Sequence, residues 1–489
     1  MKHKKIDLTS IFIFVSIFIM CYLFFSRYHS LSILDTDDWK YINYSRALVP
    51  DVNEFNPIKV FPENFFSFVS KISYRMFYNS QLGFTRSLST GYNIVISVIV
   101  SVYVGVFYKF ISKNKNKFLG IILTFIFFVL HFVIYRCGDV LNQYGFYSIT
   151  VNNYFNYLIP TLLNLILLLW VIADDNVVIL SKNSILKNII FLVLGYFAIF
   201  SNLFSNEILP IYLVLNLVFK NIRFVKKSYS FQQMVRNGII SFVICVEWAI
   251  SMCFELNGAR AGQLSTQEPF ISRLKTTLYT YMASDINMIL VAIFSISVIV
   301  VSLVIYKKEQ NSLLIKINLM ALLVFIYCLL LSAKVNTWYI SRADVQIEFI
   351  GILLFSVVYA LGYINTQMTS RNRGILLIIV LLSLLLGINS SGKTYKDSNI
   401  IALEHRDGDF GSDRVEEIND YIIDQIIEAD NSNESNIIIS VPCFYNVDNW
   451  PLTDYGFHRI SEALYEYGVI DSPVEVVIEV DESLNYMWQ

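Results

Sequence analysis

The densest group of acids in the first part of this chain lies in Leu34-Asp35-Thr36-Asp37-Asp38-Trp39-Lys40-Tyr41, just past an apolar run that closes near Phe25. Neighbouring carboxylates are the usual equipment of general acid–base chemistry, because mutual repulsion tunes one of the group to hold or take a proton. Asp37, Asp38 and Asp35 are therefore the candidate catalytic residues. Trp39 and Tyr41 follow at once, residue types that anchor a segment at a membrane surface or stack on a sugar ring. The structural alternative is a solvated acidic turn. Asp37 and Asp38 could also hold Mg²⁺ or Mn²⁺, although no metal-ligand motif accompanies them and no cofactor is firmly implied.

Four further residues bear chemistry at or near apolar segments, where ionisable groups are expensive to keep. Glu207, in Ser201-Asn-Leu-Phe-Ser-Asn-Glu-Ile-Leu-Pro210, could hydrogen-bond a sugar hydroxyl or cap the helix that follows it. Glu247 lies mid-run beside Trp248 and ranks below it. Arg342, in Trp338-Tyr339-Ile340-Ser341-Arg342-Ala343-Asp344, and Arg260, in Asn257-Gly258-Ala259-Arg260, offer planar forks suited to a phosphate. For Arg342 the alternatives are a pairing with Asp344 or a headgroup contact. The segment Arg136–Phe155 is polar enough to line a sugar-sized cavity without any residue standing out. Four cysteines, Cys21, Cys245, Cys253 and Cys328, read as packing residues within apolar runs, and Cys137 with Cys443 is one candidate disulfide pair. Neither CxxC nor HExxH occurs, and the five His are scattered, so no zinc-ligand spacing is present.

The elements that must position these residues are membrane spans. Of 489 residues, 55% are hydrophobic and 16% charged, against about 25% charged in soluble domains. The mean hydropathy of +0.54 excludes a soluble enzyme and a disordered chain. Eleven runs approach the roughly 20 apolar residues that a crossing needs: Leu8–Phe25, Gly91–Ile111, Phe118–Tyr135, Tyr157–Ala173, Ile185–Ser201, Ile208–Phe219, Gly238–Phe254, Ile286–Tyr306, Leu313–Ser332, Phe349–Ile364 and Gly374–Asn389. The sixth is short and contains Pro210, which fits a re-entrant or tilted half-span as well as a crossing. The first reads as a retained anchor rather than a signal peptide, since no small-residue cleavage site follows it.

Charge divides the chain. Residues 1–390 hold 32 Lys and Arg against 18 Asp and Glu, whereas residues 391–489 hold 5 against 21. With the N-terminus cytoplasmic, every inner loop is basic and the outer loops are poor in Lys and Arg. That orientation places the loop 26–90 and the tail 391–489 outside. Within the loop, Phe61, Phe65, Phe68, Val69, Ile72 and Met76 recur at helical spacing, the pattern of an amphipathic helix lying along the interface or packed on the protein's own roof. In the tail, Arg414–Ala429 and Gly456–Tyr467 read as helices, and Asn436–Val441 and Val474–Val480 as strands. The expected fold is thus an all-α polytopic membrane domain of about 11 transmembrane helices with a small external α/β C-terminal domain, large enough for its own core. That domain reads as a lid or an acceptor-recognition surface.

This layout, with Asp-Asp-Trp in the first outer loop, an interface helix after it and an external C-terminal domain, resembles bacterial polytopic glycosyltransferases of the GT-C architecture. In particular it resembles the serotype-converting glucosyltransferases that modify O-antigen and their relatives. The resemblance covers most of the chain as a layout. Ser341-Arg342-Ala343 resembles an outer-loop Arg motif of these enzymes, and Asn257-Gly258-Ala259-Arg260 looks like a degraded Pro-Gly-Asn-x-x-Arg. The resemblance implies hexose transfer from a polyprenyl-phosphate sugar donor to a polysaccharide or lipid-linked glycan acceptor, at the outer face of the bacterial cell membrane. By the same likeness, Asp37 and Asp38 would each be the general base or its partner, and Asp35 a lesser candidate. Membrane lipid is the expected surrounding, and no nucleic acid is expected as a partner.

Two other readings compete. A polysaccharide polymerase would place Arg-rich outer loops around its polymer, whereas these loops are poor in Arg. A lipid-linked glycan transporter would show internal repeats and helices broken by Gly or Pro near mid-membrane. No repeat is evident, and 19 Gly and 9 Pro in 489 residues are few.

Overall fold

The computed structural model describes residues 7–33, 36–44, 56–79, 82–113, 116–135, 145–148, 150–181, 184–224, 231–257, 268–284, 286–309, 312–368, 412–442 and 454–488. Among them, seven helices are long and apolar enough to cross a membrane, and three shorter apolar helices accompany them. The first ten apolar runs of the sequence all lie on these ten helices; the eleventh, Gly374–Asn389, falls outside the described residues. The chain is therefore an all-α polytopic membrane protein over most of its length.

Helix α1 (Leu8–Leu23) leads through a π-turn at Phe24–Tyr28 to the short α2 (Thr36–Asn43). Next come α3 (Val60–Phe77), α4 (Phe84–Ser112) and α5 (Lys117–Val133). Helix α6 (Val151–Ala173) contains a second π-turn at Tyr154–Leu158. The remaining helices of the body are α7 (Ile185–Ile199), α8 (Ile208–Phe224), α9 (Phe231–Asn257), α10 (Phe270–Met282), α11 (Met288–Glu309), α12 (Leu313–Val335) and α13 (Ala343–Gln367).

Burial separates central from peripheral spans. Helices α6 and α13 are mostly enclosed by protein, while α1, α9 and α11 bury little of their apolar surface. On α1 the buried residues Ile13, Ile17 and Cys21 form one stripe at four-residue spacing, which packs on α4. Its other faces expose Leu8, Ile11, Phe12, Val15 and Ile19. So much exposed apolar surface is stable only against lipid.

Helix α4 is the post on which α1, α3, α5 and α6 pack. Small residues let its neighbours approach: a Cβ on Gly91 would overlap the side chain of Ser73, so α3 and α4 cross in contact there. The apolar stripe expected of α3 divides in two. Phe66 and Val69 turn inward with Ser70 and Ser73, and Phe66 stacks on Phe155 of α6 at 4.6 Å. Phe68, Ile72 and Met76 face outward, beside Lys71 and Arg75. One helix thus satisfies both sequence readings at once, packed on the protein along one face and apolar toward the surroundings on the other.

The C-terminal segment forms α14 (Ser412–Asn431), β1 (Asn436–Val441), α15 (Asp454–Glu466) and β2 (Glu475–Val480). The two strands pair in parallel, with Asn436 opposite Glu475 and Val441 opposite Val480. Parallel neighbours need a crossover, and the segment containing α15 supplies it. This unit docks on the first-loop helices rather than standing apart. Helix α15 packs on α2, and α14 on α4. Arg86 Nε meets Glu416 Oε2 at 2.7 Å, Asn419 Nδ2 donates to the Ile33 carbonyl at 2.8 Å, and the Tyr467 hydroxyl donates to the Ile42 carbonyl at 2.9 Å. The Tyr467 ring stands edge-on to Tyr74 and Phe84. Gly83 takes a φ of +73° beside the Asp420 carboxyl, and that conformation is what lets α4 begin under α14.

Candidate functional site

The acidic cluster is helical rather than a loose turn: Asp37 and Asp38 occupy the first turn of α2, where negative charge suits the exposed N–H groups. Their environments differ. Asp37 is half-buried, whereas Asp38 has 0% of its surface exposed. Asp38 Oδ1 accepts a hydrogen bond from the backbone N–H of Asn152 at 2.6 Å, so it caps the first turn of α6 from a distant part of the chain. Trp39 is fully buried and stacks on Phe84 with centroids 6.3 Å apart. Tyr41 is buried too, against Phe66. Both rings lie within the protein's own core. They lock α2 between α3 and α4, and neither ring is open to stack on a ligand.

The opening turns of α6 are also where Arg342 arrives. Its Nε and one terminal nitrogen grip both oxygens of Asp344 at 3.0 and 2.6 Å. The same terminal nitrogen reaches Asn153 Oδ1 at 3.4 Å. The guanidinium lies 4.3 Å from the centre of the Tyr157 ring, with Tyr339 and Trp338 also facing it. The π-turn at Tyr154–Leu158 widens the helix by one residue per turn, a device found at functional positions. Asp38 and Arg342, 304 positions apart by residue number, thus contact the consecutive residues Asn152 and Asn153. Asn156 continues the network, donating to Asn152 Oδ1 while its carbonyl accepts from Asn202 Nδ2 at 2.6 Å.

Glu207 sits elsewhere. It precedes α8 and is 1% exposed, turned into the body rather than toward an outer surface. It meets two residues that the sequence did not single out as functional. Cys328 on α12, read from type as packing, donates its S–H to Glu348 Oε2 at 3.0 Å and lies 4.0 Å from Glu207 Oε1. Glu348 on α13 was missed because it stands one residue before the apolar run at Phe349. The signal was its i+4 spacing from Asp344, which puts both acids on one face of α13. The ligand-type atoms of Glu207, Cys328 and Glu348 lie within 4.8 Å of one another.

Asp35 and Arg260 fall outside the described residues, as do Cys137 and Cys443. Glu247 is half-buried on α9, with its Oε2 lacking a hydrogen-bond partner among the described residues. Alongside α13, an apolar groove of about 510 Å³ runs between α11, α12 and α13, lined by Tyr281, Ile299, Leu322, Phe325, Phe349 and Leu353 among others. No family model matches the chain, and no curated protein is similar enough to it to count as a relative.

Proposed function

We propose that the chain is an integral membrane glycosyltransferase, moving a hexose from a polyprenyl-phosphate sugar to a cell-surface polysaccharide or lipid-linked glycan. The observation that carries this reading is the convergence of an acidic helix, α2, and a single Arg, Arg342, on the opening turns of α6. A transfer of this kind needs a carboxylate for the acceptor hydroxyl and a cation for the departing phosphate, held by rigid elements.

Roles follow from environment. Asp37, half-buried beside its committed neighbour, takes the proton of the acceptor hydroxyl. Asp38 positions it by tying α2 to α6. The acceptor oxygen attacks the anomeric carbon, the bond from that carbon to the phosphate oxygen breaks, and the phosphate leaves with the electron pair. Arg342, its plane fixed by Asp344, meets the charge that grows on the phosphate. Direct displacement inverts the anomeric centre. The groove along α13 opens about 10 Å down the helix from Arg342, at 1.5 Å per residue, and its apolar lining suits a polyprenyl chain.

Packing also bears on sidedness. Because α15 contacts α2, the C-terminal unit and the first loop share one side of the membrane. An even number of crossings must then separate them. Nine apolar helices lie between them in the described residues, α4 to α9 and α11 to α13; the remaining apolar run of the sequence, Gly374–Asn389, lies outside the described residues. A shared side agrees with the sidedness read from the Lys and Arg distribution, in which the first loop and the C-terminal unit both lie outside.

The test is transfer of label from radiolabelled polyprenyl-phosphate hexoses to lipid-linked glycan by the purified protein. Asp37→Asn should lower the rate by about 10²-fold or more, the scale of general base catalysis, with folding unchanged. Asp37→Asn that transfers at the wild-type rate removes Asp37 from the chemistry. Wild-type protein that transfers no hexose sinks the reading as a whole.

A further inference from the structure

Glu207, Cys328 and Glu348 come from three separate elements, the turn before α8, α12 and α13, and all three are buried. The proposed transfer chemistry uses none of them. Two carboxyls and a thiol enclosed by protein are costly unless hydrogen bonds or a cation compensate them. Among the described residues, no Lys, Arg or His forms an ion pair with either carboxyl. Glu207 Oε2 has no hydrogen-bond partner there although it is fully enclosed, and Ser205 Oγ and Ser332 Oγ nearby in sequence are also buried without one. Ser332 stands one helical turn beyond Cys328, on the same face of α12.

We propose that Glu207, Cys328 and Glu348 are the protein ligands of a thiophilic divalent metal ion, best matched by Zn²⁺, with a fourth position left for water. The separations fit. Tetrahedral Zn²⁺, with bonds of about 2.1 Å to oxygen and about 2.3 Å to sulfur, holds an oxygen and a sulfur about 3.6 Å apart. The sulfur here lies 3.0 Å from Glu348 and 4.0 Å from Glu207, on either side of that value. Sulfur selects Zn²⁺ over Mg²⁺ or Ca²⁺, which take oxygen ligands. Without metal, the thiol donates to Glu348 Oε2 and lies at the edge of contact with Glu207 Oε1. On binding, the thiol proton passes to solvent, both carboxyls bind as carboxylates, and the metal takes the place of the S–H contact. Three ligands and one open position are the arrangement of a reactive zinc rather than a purely structural one. The site is also close to Arg342: Glu348 lies one turn, about 6 Å of rise, along α13 from Asp344. This inference does not rest on the transferase reading, since its test measures metal and not transfer.

The full chain, purified in detergent and stripped with chelator, is equilibrated with Zn²⁺ and, separately, with Co²⁺. Wild type should retain one Zn²⁺ per chain against excess Mg²⁺, and its Co²⁺ form should show sulfur-to-cobalt charge-transfer absorption. The double variant Glu207→Gln/Glu348→Gln should bind Zn²⁺ more than about tenfold more weakly. Cys328→Ala should lose the charge-transfer band. Wild type that retains no Zn²⁺, a double variant that binds as tightly as wild type, or a band that survives in Cys328→Ala overturns the proposal. Should the double variant fail to fold, the wild-type metal content and the Cys328→Ala spectrum decide the matter alone.

Discussion

Asp38 and Asn152 are 114 residues apart, yet the carboxylate of one takes a free N–H in the first turn of the helix on which the other lies. A buried acceptor in that position does two things, completing α6 and fixing the angle at which α2 leaves it. Asp38→Ala removes a charged hydrogen bond and should cost about 1.5–3 kcal/mol. Asp38→Asn keeps an oxygen in place and should cost clearly less. Thermal unfolding in detergent, followed by tryptophan fluorescence, orders the three proteins. Equal melting temperatures for the Ala and Asn variants would show that Asn152 is not held by this side chain.

Arg342 is gripped by Asp344 through two nitrogens and stacks on Tyr157. Lysine has neither the fork nor the flat face. On the proposed transfer, Arg342→Lys should therefore lower kcat/KM for the donor by about tenfold, the worth of one charged hydrogen bond, with little change in the affinity for acceptor. An effect confined to acceptor affinity would move Arg342 away from the phosphate.

Where α3 crosses α4, a side chain at Gly91 has no room beside Ser73. Gly91→Ala should destabilise the protein by about 1–3 kcal/mol through overpacking. Pairing it with Ser73→Gly should recover part of the loss, because the two positions compete for one space. Thermal unfolding of the single and double variants measures the recovery, and strict additivity would place the crossing elsewhere.

The dock between α14 and α4 includes the Arg86–Glu416 pair, partly open to solvent. Such pairs contribute at most about 1 kcal/mol. Arg86→Glu should nonetheless loosen the C-terminal unit by setting two like charges together, and the exchange Arg86→Glu/Glu416→Arg should restore it. The resistance of the C-terminal unit to limited proteolysis reads the effect. Cleavage rates that ignore the exchange would assign the docking to Tyr467 and Asn419 alone.

The same unit has an acid-sensitive joint. Asp430 accepts from the backbone N–H groups of Asp471 and Ser472 and from the Ser472 hydroxyl. The Asp471 hydrogen bond, foremost, holds its carboxyl below the usual carboxylate range. A lowered folded pKa means the stabilisation is complete above the unfolded value, about 3.9, and is lost as the pH falls through the folded one. Asp420 has the opposite sign, since burial, partly offset by Arg86, raises its carboxyl. Its contribution weakens as the pH rises through the carboxylate range. In an acid titration followed by protease resistance, Asp430→Asn should flatten the acid limb. Asp420→Asn should leave that limb in place.

The helices of the body were legible because long apolar runs have few other uses, and ten of them fall on apolar helices of the structure. The C-terminal strands and helices were legible for the same reason, their periods of two and 3.6 being short-range properties. What escaped was pairing. The stripe on α3 records that Phe66 and Phe68 are apolar, not that one meets Phe155 while the other faces out. Cys328 reads as a small apolar residue until Glu348 and Glu207 arrive from other helices. Asp38 and Trp39, adjacent in a cluster that invited a ligand, turned out to be a helix cap and a core aromatic. Residue type proposes chemistry, but the partner that decides its use lies at a distance no local pattern reports.

Asn419 bonds Ile33, and Tyr467 bonds Ile42, across 386 and 425 positions. At about 5–20 residues per second of synthesis, the ribosome needs about 20–85 s to travel the longer of these intervals. Throughout that time α2 stands without the surface that covers it. A message truncated before α14 would thus deliver a bilayer-inserted body whose acidic helix was never closed over, and quality control would meet it as an early-loop defect caused by a late stop codon.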